Sequence, residues 1–100
     1  PVVLFGFGGI YAELVKDFSV RVCPVGEKQA EEMLFETRAG LFFSKDGFRG
    51  MKAGQQAVVG LILRTSRLLS ENPQISELDF NPVIASAGNA SIVDVRIIVD

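Results

Sequence analysis

Near the C-terminal end of the chain, carboxylate and amide side chains recur at every second position. Glu77, Asp79 and Asn81 alternate with Leu78, Phe80 and Pro82; further on, Asp94 and Arg96 alternate with Val93, Val95 and Ile97. That period puts polar side chains on one face of a strand and apolar ones on the other. Two such strands paired antiparallel must turn their apolar faces the same way. Glu77, Asp79 and Asn81 therefore share a face with Asp94 and Arg96. If Ala85 and Ala90 close the loop between the strands, Asn81 stands opposite Asp94 and Asp79 opposite Arg96. A tighter turn at Gly88-Asn89 would leave Asn81 and Asp94 diagonal neighbours. Directly opposed residues have Cβ atoms roughly 4.5–5.5 Å apart, so in either register a carboxylate and a carboxamide oxygen converge beside a second carboxylate and an arginine.

Hard oxygen ligands of this kind suit Mg²⁺, which takes one or two carboxylates and completes its shell with water and substrate phosphates. Arg96 could hold phosphate oxygens or fix a carboxylate. The competing reading is a solvated strand face carrying an ordinary Asp79–Arg96 pair. Other chemistry is excluded by absence. The chain has no histidine, so Ser-His and Cys-His catalysis, histidine metal sites and any phosphohistidine step must be supplied from elsewhere. Its single cysteine, Cys23, permits neither an internal disulfide nor a thiolate zinc cage, and points to a reducing, cytoplasmic setting. Standing before Pro24 in a strand, Cys23 reads as a small buried hydrophobe.

The elements that must position these residues follow from the rest of the pattern. One hundred residues, 48% hydrophobic and 22% charged, make one small globular domain. Ten Lys+Arg against twelve Asp+Glu leave a net charge of −2, too little positive charge for bulk attraction to nucleic acid. No apolar run reaches the roughly 18 residues of a membrane span. Val2 to Phe5 reads as a strand entering a glycine turn at Gly6, Gly8 and Gly9. Ile10 to Lys16 and Phe18 to Val22 read as extended segments; in the second, Phe18, Val20 and Val22 face one way and Ser19 and Arg21 the other. A helix is predicted over Glu27 to Arg38, with Ala30, Met33, Leu34 and Thr37 as its stripe and Gly40 as its stop. A longer one is predicted over Ala53 to Glu71, with Val58, Leu61, Ile62, Thr65, Leu68 and Leu69 on one side and Asn72-Pro73 ending it. The fold class is α+β, a mainly antiparallel sheet with two helices.

Three segments then carry a family resemblance. Glu77-Leu-Asp-Phe-Asn-Pro-Val followed by Val93-Asp-Val-Arg-Ile resembles the end of an ATP-grasp domain, and more narrowly that of the NDP-forming acyl-CoA synthetases. The opening Phe5-Gly-Phe-Gly-Gly-Ile-Tyr-Ala-Glu-Leu-Val-Lys-Asp, running into Ser19-Val-Arg-Val-Cys-Pro, is similar to the same family. The two helices fit in order between them, so the likeness covers nearly the whole chain. It implies one half of an ATP-grasp fold: a C-terminal subdomain, residues 1–100, cut from a longer protein.

The resemblance also implies roles. Asn81 and Asp94 correspond to the pair that holds the Mg²⁺ of bound ATP or ADP in that family, with Asp79 as a supporting or ligating carboxylate. Apart from the resemblance, the residues themselves offer three candidate nucleotide-binding side chains: Arg96, suited to phosphate oxygens; Glu13, which could serve the nucleotide site or simply face water; and Arg49, whose basic loop with Lys45 and Lys52 could touch phosphate or a partner subunit. The family commonly shows Lys-Gly-x-Arg-Gly where this chain has Lys45-Asp-Gly-Phe-Arg-Gly, a departure at Asp46. The implied whole-protein reaction converts acyl-CoA, ADP and phosphate to carboxylic acid, CoA and ATP, through an acyl phosphate and a phosphohistidine. Its partners would be the rest of the ATP-grasp domain and a CoA-binding domain or subunit carrying that histidine. The fragment alone should be inactive. Two rival readings are a degenerate regulatory domain, like those fused to acetyltransferases, and a subunit-pairing module that uses no metal.

Overall fold

The structure, a computed structural model, describes residues 1–6, 17–38, 40, 51–86 and 88–100. Within them lie six strands and two helices. The order is β1 (Val2–Gly6), β2 (Phe18–Val22), α1 (Glu27–Phe35), α2 (Met51–Glu71), β3 (Ile75–Phe80), β4 (Val83–Ser86), β5 (Asn89–Ile92) and β6 (Val95–Val99). All strand pairs are antiparallel: β1 with β2, β3 with β6, and β4 with β5. The extended segment predicted over Ile10 to Lys16 and the Lys45–Gly50 loop lie outside the described residues.

Helix α1 begins where Gln29 Oε1 accepts the Gly26 backbone N–H at 3.0 Å, meeting one of the donors a helix start leaves free. Its stripe buries Ala30, Met33 and Leu34 completely. It stops at Phe35, earlier than the sequence predicts, because the Thr37 hydroxyl donates to the Leu34 carbonyl at 2.9 Å and turns the chain. Thr37 is buried all the same, held by that bond. Gly40 follows so closely that a Cβ there would lie 2.8 Å from the Phe35 Cα, so only glycine fits.

Helix α2 packs on α1, β1, β4 and β5. Val58, Val59 and Ile62 face the core together with Ser66, which is 1% exposed. The apolar period places Leu68 on this stripe, but Leu68 is exposed and Ser66 takes the inward position. A buried hydroxyl needs a partner, and Ser66 Oγ accepts the Val25 N–H at 2.8 Å, tying α2 to the segment between β2 and α1. Cys23 is buried in the same core, as its surroundings in the sequence suggest.

Strand β2 turns its polar side inward. Ser19 is 4% exposed and donates to the Met33 carbonyl at 2.9 Å, whereas Val22 on the other face is 72% exposed. The register pairs Val2 with Val22 and Leu4 with Val20, so this uncovered face of the β1–β2 pair is wholly apolar along those rungs. On the inward face, Arg21 reaches α1, donating to both carboxylate oxygens of Glu36 and lying 3.8 Å from Glu32. This fork holds the Glu36 carboxyl below the usual carboxylate range, first through its hydrogen bond and then through its charge.

Candidate metal and nucleotide site

The last quarter forms one long hairpin, with a register shift between Ile75 and Glu77 and one break further on. Partners run Leu78–Ile97, Asp79–Arg96 and Phe80–Val95 in β3–β6, then Val83–Ile92, Ile84–Ser91, Ala85–Ala90 and Ser86–Asn89 in β4–β5. The same register holds on both sides of the break at Asn81-Pro82 and Val93-Asp94. Backbone bonds carry it across: Asn81 N–H donates to the Asp94 carbonyl at 3.1 Å, and Val93 N–H to the Pro82 carbonyl at 3.0 Å. Proline has no N–H to give, and the regular ladder lapses there. The hairpin thus consists of four short strands where the alternating pattern reads as two.

The register is the one that pairs Ala85 with Ala90, though the ladder runs one pair further than that closure, to Ser86 and Asn89, with Gly88 at φ 73° in the turn, a left-handed conformation that glycine adopts without cost. Asn81 and Asp94 are therefore direct cross-strand neighbours at the break, and Asp79 and Arg96 are neighbours one rung away. All four are exposed. Asp94 Oδ1 accepts the Val95 N–H at 3.0 Å, which orients the carboxylate and commits one of its two oxygens. That backbone donor is a feature side-chain pattern could not reveal. Asp79 and Arg96 face each other without an ion pair: among the described residues, ion pairs join Arg21 to Glu32 and Glu36, and Arg67 to Glu71. The ordinary Asp79–Arg96 surface pair is thus not formed. Glu13 and Arg49 lie outside the described residues.

The donor set fits a hard cation that also binds something else. Among the described residues there is no group of three or more His, Cys, Asp or Glu side chains able to enclose a metal. Two carboxylates and a carboxamide can hold only part of an octahedral shell, leaving positions for water and phosphate oxygens, as Mg²⁺ prefers. Glu77, Asp79 and Asp94 against Arg96 also leave the face with excess negative charge, which favours a divalent cation.

The two faces of this hairpin are covered unequally. Residues that pair share a face: Val83, Ala85, Ala90 and Ile92 share one face of the β4–β5 pair, and Asp79 and Arg96 share one face of the β3–β6 pair. Helix α2 packs on β4 and β5 by way of Ala85 and Ala90. On β3–β6 the apolar face is half-buried at Leu78 and Phe80 and exposed at Val95, Ile97 and Val99, and on β4–β5 the face away from Ala85 carries the exposed Ile84, Asn89 and Ser91. In β4–β5 the helix thus covers the more apolar of the two sides. No described helix is long and apolar enough to cross a membrane.

Residues 1–99 match the ATP-grasp domain family. The ADP-forming acetate–CoA ligase I of Archaeoglobus fulgidus is 37% identical over 99 residues, covering 98% of this chain and 14% of that protein. The beta subunit of ADP-forming acetate–CoA ligase I from Pyrococcus furiosus is 39% identical over 99 residues, covering 98% of this chain and 42% of the subunit. Among solved structures, Ca. Korarchaeum cryptofilum dinucleotide forming acetyl-coenzyme A synthetase 1, in complex with coenzyme A and Mg-AMPPCP, superimposes with a TM-score of 0.85 at 42% identity. The match covers 100% of this chain and 46% of that one. The chain thus spans less than half the length of each of these relatives.

Proposed function

The chain belongs to the ATP-grasp domain family, and we propose that it is the Mg²⁺–nucleotide-binding half of an NDP-forming acyl-CoA synthetase. The whole protein would convert acyl-CoA, ADP and phosphate to carboxylic acid, CoA and ATP. The observation that carries this reading is the hairpin register, in which Asn81 meets Asp94 and Asp79 meets Arg96. Asp94, Asn81 and Asp79 would hold the metal. Bound there, Mg²⁺ would neutralise charge on the nucleotide's phosphate oxygens.

The chain's own groups do the positioning. The Val95 N–H fixes Asp94 Oδ1 and leaves the second oxygen free to turn outward. Arg96, without a carboxylate partner within 4.0 Å among the described residues, can offer its planar fork to phosphate. Glu13 and Arg49 complete the proposed nucleotide contacts. With no histidine in the chain, a phosphohistidine would have to come from a CoA-binding domain or subunit. The apolar faces left open on β1–β2 and β3–β6 support the reading of half a clamp, closed in the full protein by the rest of the ATP-grasp domain.

Calorimetric titration of ATP into the full-length protein, with and without Mg²⁺, tests the assignment. The metal should raise affinity in the wild type and lose that effect in Asp94→Asn; an equal gain in both proteins would overturn it. The isolated chain should bind nucleotide weakly and turn over no acyl-CoA. Micromolar affinity for these residues alone would contradict the half-clamp reading.

A further inference from the structure

We draw no further inference here: the strongest candidate, the uncovered apolar face formed by Val2, Leu4, Val20 and Val22 on the β1–β2 pair and by Val95, Ile97 and Val99 on the β3–β6 pair, belongs to the half-clamp reading already given, and nothing in the structure shows what covers it.

Discussion

The two halves of the C-terminal hairpin share one register and yet do different work. In the β4–β5 half, Ala85 and Ala90 lie against α2, and their face is part of the packed body. In the β3–β6 half, one face carries Asp79 and Arg96, with Asn81 and Asp94 at the junction, and all four are open to solvent. The boundary is the Asn81-Pro82 and Val93-Asp94 break. On one side α2 covers Ala85 and Ala90; on the other the charged side chains keep their access to water, where an unpaired charge is least costly. One hairpin thus has a half that packs against a helix and a half whose charged side chains stay exposed. The proposed ligands sit where the first gives way to the second, backed by the anchored half.

This contrast predicts that truncations will separate cleanly by region. The largest effect belongs to the anchored body. Met33 is fully buried between the β1–β2 pair and the helices, so Met33→Ala should cost ~2–5 kcal/mol. Ile97→Ala, on the exposed face of β6, should change stability by less than about 0.5 kcal/mol in the isolated chain. Denaturant melts of the two variants settle it, and equal losses would mean the β3–β6 half is as firmly packed as the body.

Next in size is Asp94→Asn in the full-length protein. It keeps the side chain's shape and a group able to accept the Val95 N–H, but removes the charge that a divalent cation needs. Mg²⁺-dependent turnover should fall about a hundredfold, equivalent to ~2.7 kcal/mol, while the melting temperature stays within a degree or so of wild type. Asn81→Ala should act in the same direction. Normal activity for Asp94→Asn across a magnesium titration would return this face to the status of solvated surface.

A smaller effect is expected at Leu78, which is only half-buried. Leu78→Ala should cost about 1 kcal/mol in the isolated chain, from the partial loss of apolar burial. In the full-length protein a clearly larger loss would show that its face is covered there; the same value in both would argue that it stays open.

The smallest effect lies on the surface of the body, at the Arg21–Glu36 fork. Arg21 holds the Glu36 carboxyl below its ordinary range, so the unfolded chain takes up this proton at a higher pH than the folded one. The stabilisation is therefore complete above the ordinary carboxylate pKa and is lost as pH falls through the folded value. Glu36→Gln should melt slightly below wild type at neutral pH, and the gap should close on acidification. A gap that persists or widens in acid would show that the fork contributes nothing through charge.

Much of this molecule was decided by period and by residue chemistry alone. A strand's side chains alternate because the backbone is pleated, so the faces shared by Asp79, Asn81, Asp94 and Arg96 follow from spacing, and the Ala85–Ala90 closure sets their partners. The long helix follows from apolar spacing and the Asn72-Pro73 stop, and the burial of Cys23, just past the end of β2, from its apolar surroundings.

Alternation names two faces but cannot say which one a helix will cover. Only the tertiary structure chose the Ser19 side of β2 over the more apolar side opposite. It likewise turned Ser66 inward and Leu68 outward, and the buried hydroxyls of Ser66 and Ser19 have backbone partners in the Val25 N–H and the Met33 carbonyl. Those partners lie far away in sequence, and only folding brings them within reach.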